Sequence, residues 1–285
     1  MIPPSLAVSI ISYRRSQLLD SCLNSLQIAM TKGMRPLYII IQDATGDDLA
    51  VLRKYDHLIW EIVHTESGGL HVEDLINRNR ILAWELPLIK RGHQNVICLE
   101  DDVEVSTDIF EFTEKVLEQN SESKHFYGIN FGSFEKPREP GSYSKLSFGL
   151  HGPASLISRT SFSRFQLKTL KKFDGAIPWD AWVEPIVRRG FVITSNVARY
   201  KDNGENGTHA TAENDSTYFK KLNESFAYGE KFKSSDYRNI DIEHSWRDDC
   251  LIYKESGLIK RYIKFLAIRI YQITKTFRKT LMGLS

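Results

Sequence analysis

A short run of apolar side chains, Val96-Ile97-Cys98-Leu99, ends on three consecutive carboxylates, Glu100, Asp101 and Asp102. No other stretch constrains the fold as much. An uninterrupted apolar run of this length marks a strand buried on both faces, the habit of parallel sheets covered by helices. Such a strand delivers its next residues to the carboxyl edge of the sheet, where open α/β sheets bind ligands. Three adjacent acids repel one another. Either they form a solvated acidic turn, or a divalent cation shared with substrate phosphates relieves the repulsion. Ser106 then fits a helix N-cap, with Asp108 in the first turn where the helix dipole favours negative charge.

The flanking sequence supplies the rest of an α/β sheet. Residues 6–11 predict a strand and residues 12–16 a polar loop. A helix follows from Gln17, with Leu18, Leu19, Cys22, Leu23, Leu26 and Ala29 at helical spacing. Residues 37–41 predict a second buried strand ending at Gln42-Asp43, so the first connection is a right-handed parallel crossover. Arg14 and Asp43 then fall at the carboxyl ends of neighbouring strands. The pair suits a nucleobase, the carboxylate accepting a ring N–H and the guanidinium stacking or donating; it equally suits a surface ion pair. Asp47-Asp48 open a short helix, residues 58–63 a third strand, and Ser67-Gly68-Gly69-Leu70 a loop too irregular for a dinucleotide or phosphate-loop fingerprint. Arg78 and Arg80 lie on a helix expected over residues 72–89. Guanidinium matches phosphate oxygens in a bidentate way, so either can reach a pyrophosphate, and one of the two is expected on a solvated face. Further strands are expected at residues 126–131 and 191–194, with residues 134–145 as a loop. His151, between Gly149 and Gly152, has no second ligand at metal spacing and reads as structural.

Three later stretches carry chemistry of their own. Pro178-Trp179-Asp180-Ala181-Trp182 suggests a helix start in an aromatic pocket. A carboxylate beside indoles is partly desolvated, which raises its pKa and makes it a better base; Asp180 can also be a plain helix cap. Residues 203–211 hold two glycines, His209 and no periodicity, as expected of a loop that closes over substrate. Residues 258–281 place Ile259, Tyr262, Ile263, Leu266, Ile270, Ile273, Phe277 and Leu281 on one helical stripe. Seven basic residues and no acid fall between Ser256 and Ser285, against a net charge of +2 for the whole chain, so the remainder carries −5. That tail fits the interface of an anionic membrane, or a docked helix with a solvated basic face.

The mildly acidic body argues against bulk nucleic-acid binding. Three scattered cysteines, Cys22, Cys98 and Cys250, form neither a disulfide framework nor a zinc site, and suit a reducing compartment. The N-terminus shows no basic region or cleavage pattern of a signal peptide. No apolar run approaches the roughly 20 residues of a membrane span.

Residues 100–111, Glu-Asp-Asp-Val-Glu-Val-Ser-Thr-Asp-Ile-Phe-Glu, resemble the Glu-Asp-Asp-Leu-Glu-Val-Ala-Pro-Asp-Phe-Phe-Glu of the N-acetylglucosaminyltransferase I family. Ile-Ile-Gln-Asp at 40–43 and Trp-Asp-Ala-Trp at 179–182 are similar to that family's Val-Ser-Gln-Asp and Trp-Asp-Asp-Trp, in the same order. The resemblance spans residues 6–221. It implies a GT-A fold, with a mostly parallel central sheet flanked by helices, and a metal-dependent inverting transfer of sugar from a UDP-sugar, UDP-GlcNAc first, to a glycan or lipid-linked acceptor. It further implies Asp102 as the ligand of Mn²⁺ or Mg²⁺, Asp101 at the ribose, Glu100 at the transferred sugar, and Asp43 at uracil with Arg14 as companion. Arg78, Trp179 and His209 complete the expected donor site, and Asp180 is the expected base. Ala181 departs from the family's second Asp. On this reading residues 1–225 form the transferase domain, 226–257 a connecting extension and 258–285 a membrane-associating helix at the cytoplasmic face. Two other readings remain: a sugar nucleotidyltransferase, disfavoured because residues 6–16 contain no glycine, and an inactive membrane-bound scaffold.

Overall fold

The computed structural model describes residues 5–30, 33–70, 72–132, 142–146, 150, 152–164, 191–204, 220, 222–227 and 238–239. Four parallel strands, β1 (Leu6–Tyr13), β2 (Leu37–Gln42), β3 (Ile59–Thr65) and β4 (Asn95–Glu100), make one half of the main sheet. β1 sits between β2 and β4, and β3 lies beyond β2. The remaining strands are β5 (Val103–Val105), β6 (Phe126–Asn130), β7 (Ser142–Leu146), β8 (Ala154–Ser158), β9 (Phe191–Ser195), β10 (Tyr200–Asp202) and β11 (Arg238–Asn239). Among the described residues the main sheet runs β11-β7-β9-β6-β8-β4-β1-β2-β3, and β5 pairs separately with β10. Five of the eight pairings in the main sheet are parallel, so the sheet is mostly parallel, with β8 inserted antiparallel between β4 and β6.

Helices cover both faces. They are α1 (Ser16–Ala29), α2 (Gly46–Lys54), α3 (Val72–Glu85), α4 (Ile109–Asn120) and α5 (Arg159–Arg164). Alternate residues of each strand point to opposite faces. Val8 and Ile10 of β1, Ile39 and Ile41 of β2, and Ile97 and Leu99 of β4 therefore pack with Leu19, Leu23 and Leu26 of α1, Leu52 of α2 and Phe112 of α4. On the other face Ala7, Ile40, Val96 and Cys98 meet Ile81 and Trp84 of α3 and Phe162 of α5. Val96, Ile97, Cys98 and Leu99 are all buried, as the apolar run predicted. Each such aliphatic side chain is worth about 1.5–3 kcal/mol on burial. This is the Rossmann-like α/β architecture the sequence predicted.

Three local expectations are corrected. The helix expected at Ser106 starts later, because the chain first forms β5. Val103 and Val105 are buried and pair with β10, and Asp108 takes the cap position of α4, accepting a hydrogen bond from Ser106 Oγ at 2.7 Å. Residues 142–145, expected as loop, belong to β7, whose Tyr143 is buried against Phe112. The helix expected over residues 72–89 is regular only to Glu85. It continues as a π-helical turn, Leu86–Lys90, where Pro87 has no N–H to give to the helical ladder. Asp180, Trp179, Trp182, His151, His209 and the stripe at 258–281 lie outside the described residues.

Candidate functional site

β4 ends between β1 and β8, and its last residues emerge beside the carboxyl end of β1. The backbone N–H of Asp101 donates to Ile11 O at 3.1 Å, which continues the ladder one step past Glu100. That step turns the Asp101 side chain into the protein. Its Oδ2 accepts from Ser12 Oγ at 2.8 Å and from the backbone N–H of Tyr13 at 3.1 Å. Asp101 is fully buried, and burial pushes its pKa up to about 7, with the Arg15 guanidinium opposing the shift and Asp102 adding to it.

Arg15, the last residue before α1, bridges the acids. Its Nη2 pairs with Asp101 Oδ1, and its Nη1 lies 2.7 Å from Asp102 Oδ2. Burial works to lower the Arg15 pKa, but Asp101 and Asp102 outweigh it and the net shift is upward. Asp102 is itself nearly buried, and its Oδ1 makes no hydrogen bond among the described residues.

A fourth carboxylate enters from a distant part of the chain. β10 pairs antiparallel with β5, and Asp202 stands opposite Val103, so Asp202 arrives next to Asp102. Its backbone is fixed by Asn223, which accepts from Asp202 N–H and donates to Asp202 O, each at 3.1 Å. Burial, and after it the charge of Asp102, pushes the Asp202 pKa up to about 7. Asn203 N–H donates to Asp102 O at 2.8 Å, and Asn203 Nδ2 donates to Glu104 Oε1 at 2.7 Å. Gly204 N–H donates to Asp202 Oδ1 at 2.8 Å. A β-carbon on Gly204 would lie 2.7 Å from Asp102 Oδ2 and 3.0 Å from Asp202 Oδ1. Glycine lets the backbone at 204 lie this close to both carboxylates.

Glu100 turns elsewhere. Its Oε1 pairs with Nη2 of Arg80, a fully buried arginine whose Nη1 also lies 3.2 Å from Cys98 Sγ. Neither helix arginine is solvated as expected for one of them. Arg80 anchors Glu100, and Arg78 is half-buried, its Nε donating to Asn79 Oδ1 at 3.4 Å and its Nη2 making no hydrogen bond among the described residues. Asn79 in turn bonds Gln42 and Thr65, so Arg78 neighbours the ends of β2 and β3.

That edge holds the other expected pair. Arg14 and Asp43 both adopt left-handed backbone, with φ of 49° and 47°. Such conformations cost energy in residues other than glycine and cluster at ligand sites. The contact between them is not an ion pair: Arg14 Nε donates to the Asp43 carbonyl at 3.2 Å. The Asp43 carboxylate accepts from Ser67 N–H at 3.1 Å, which holds its pKa below the ordinary range. Arg14 also lies over the Tyr13 ring, 5.5 Å from its centroid.

The structure thus brings Asp101, Asp102 and Glu100 to one strand end, and Arg14 and Asp43 to the neighbouring ends. Sequence reasoning missed Arg15 and Asp202. Arg15 had a visible signal, a second basic residue in the same turn. Asp202 had none, because β10 is three residues long and carries no apolar run.

All-oxygen carboxylate donors suit a hard cation such as Mg²⁺ or Mn²⁺. The orphaned Asp102 Oδ1, with Asp202 and Gly204 close to the same carboxylate, fits such an ion. No group of three or more His, Cys, Asp or Glu is arranged to hold a metal among the described residues. Cations of this kind are commonly held by one or two carboxylates, with substrate phosphates completing the shell.

No protein-family model and no curated protein matches the sequence. Among solved structures, the chain is similar to a mannosyltransferase from Pyrobaculum calidifontis in complex with GDP-Man and Mn²⁺. The identity is 13% over 96% of this chain and 86% of that one, with a TM-score of 0.44. It is also similar to a mannose-1-phosphate geranyltransferase from Thermus thermophilus, at 12% identity over 67% and 73% of the two chains and a TM-score of 0.40. A cytidylyltransferase from Leptospira borgpetersenii matches at 12% identity over 64% and 69%, with a TM-score of 0.37. These are distant likenesses of fold. None of the three bears the N-acetylglucosaminyltransferase I name, so that narrower resemblance rests on the sequence motifs.

Proposed function

We propose that the chain is a divalent-cation-dependent glycosyltransferase that moves a sugar from a UDP-sugar to a hydroxyl of a glycan or lipid-linked acceptor. One observation carries the reading: buried Asp102 and Asp202 converge beside Gly204 at the carboxyl end of the sheet, and Asp102 Oδ1 makes no hydrogen bond among the described residues. Asp102 and Asp202 would hold Mn²⁺ or Mg²⁺, which when bound supplies neutralising charge to the donor's diphosphate. Asp43 and Arg14 receive the uracil, the carboxylate accepting its ring N–H and the strained backbone fixing both groups. Glu100 faces the transferred sugar, with Arg80 holding it in place, whereas Asp101, expected at the ribose, is buried against Ser12, Tyr13 and Arg15 and supports the site from within. Arg78, Trp179 and His209 complete the donor site, and the 203–211 loop excludes water so that sugar is transferred and not hydrolysed.

Asp180, by the family resemblance, is the base. The acceptor oxygen attacks the anomeric carbon, its proton passes to the Asp180 carboxylate, and the bond to the diphosphate breaks with its electron pair leaving on UDP. General-base assistance of this kind is worth about 10²–10⁴-fold. UDP-GlcNAc is the donor this resemblance favours. Residues 1–225 form the transferase domain, and the basic stripe at 258–281 holds the enzyme to the cytoplasmic face of an anionic membrane.

The sugar nucleotidyltransferase alternative uses the same kind of strand-end carboxylates. It would form a nucleotide sugar and pyrophosphate from a nucleoside triphosphate and a sugar phosphate. The β1–α1 turn argues against it, since Tyr13-Arg14-Arg15 offers side chains where that chemistry uses a glycine-rich backbone.

Calorimetry on two variants tests the assignment. Asp102→Ala is expected to abolish cation-dependent UDP binding, and Asp180→Asn to keep donor binding and lose transfer. Unchanged UDP affinity in the first removes Asp102 as ligand; wild-type turnover in the second removes Asp180 as base.

A further inference from the structure

Arg15 neutralises the carboxylate that a divalent ion would need. Its guanidinium lies across two nearly buried carboxylates, with Nη1 2.7 Å from Asp102 Oδ2. A divalent ion chelated by both oxygens of Asp102 would take Oδ2 as well as the unbonded Oδ1, at about 2.0–2.1 Å for Mg²⁺, and would compete with Nη1 for that oxygen and for the charge of the carboxylate. The two halves of the bridge are not equivalent. Asp101 is held by Ser12 and by the Tyr13 backbone as well as by Arg15, whereas Asp102 Oδ1 has no hydrogen bond among the described residues. The Arg15 side chain is 30% exposed, so it has a path to move along.

Resting on the reading of Asp102 as a cation ligand, we infer that Arg15 is an internal placeholder cation that exchanges with the divalent ion. In the ligand-free protein it neutralises Asp101 and Asp102. When a divalent cation binds, Arg15 keeps its Nη2 contact with Asp101 and swings Nη1 away from Asp102. The released edge of the guanidinium is a planar fork that matches the oxygens of a nucleoside diphosphate. Arg15 therefore couples the two ligands. The cation alone binds weakly because it must displace an ion pair, and the diphosphate tightens it by giving the displaced guanidinium a new partner. Coupling of this kind is reciprocal, so the cation tightens UDP by the same factor.

The test is Mn²⁺ binding read by the electron paramagnetic resonance of the free ion, with and without saturating UDP. In the wild type, UDP is expected to tighten Mn²⁺. In Arg15→Gln without UDP, Mn²⁺ affinity is expected to rise roughly tenfold and the UDP effect to shrink towards none, within the range usual for coupled sites. Arg15→Gln leaves Asp101 buried without its counter-ion. Where that prevents folding, Asp101→Asn and the double variant Arg15→Gln/Asp101→Asn are compared, since Arg15 still contests Asp102 in the first and not in the second. Equal or weaker Mn²⁺ affinity on removing Arg15, in a background that binds both ligands, overturns the exchange and leaves the glycosyltransferase reading standing. A wild type that binds neither Mn²⁺ nor UDP overturns both.

Discussion

Burial raises the pKa of Asp101 and of Asp202 above the ordinary carboxylate range. Each rises to about 7, against an ordinary aspartate value of about 3.9. Between those two values the folded chain holds protons that the unfolded chain has released. Stability therefore falls as pH rises through that window, and the contribution is fully present only below the unfolded value. The ligand-free protein is expected to melt higher at about pH 5.5 than at about pH 7.5, and Asp202→Asn to flatten part of that slope. A slope of opposite sign, or one untouched by the substitution, contradicts the assignment of these two groups. Legibility at this scale followed local pattern. Glu100, Asp101 and Asp102 could be read because three acids end an apolar run. Arg14 could be read too, but its neighbour Arg15 is the one that reaches the acids, because the left-handed turn at Arg14 redirects the chain just before α1.

Strands buried on both faces announced themselves, and short strands did not. β1, β2 and β4 carry four or more consecutive buried residues each, and the sequence placed all three. β5 and β10 are three residues long and exist because they pair with each other across about a hundred residues of chain, which no local pattern reports. That pairing moves the start of α4 away from Ser106 and brings Asp202 to Asp102. The amphipathic stripe at 258–281 belongs to this scale as well. Its seven basic side chains, set against a body of net charge −5, are expected to bind anionic vesicles. The full chain should co-sediment with vesicles containing phosphatidylserine, and a chain ending at residue 257 should remain in the supernatant. Equal partitioning of the two would assign the tail to a protein surface.

Over the whole molecule, the sheet order sets the division of labour. β2 and β1 present Asp43 and Arg14 at one side of the carboxyl edge, β4 presents the acids next to them, and the β5–β10 pair lies beside the acids with Gly204. On the proposed reading, a nucleoside at the first pair would point its phosphates towards the second group, with the sugar beyond. The most direct test of this arrangement is a thermal-shift panel of UDP-, GDP-, CMP- and dTDP-sugars, each with and without Mn²⁺. At a ligand concentration about 100 times Kd, binding stabilises the fold by about 2.7 kcal/mol, which is a shift of several degrees. UDP-sugars with Mn²⁺ are expected to give that shift, omission of Mn²⁺ to remove most of it, and the other nucleotides to give little. An unmoved melting temperature across the whole panel would contradict this arrangement.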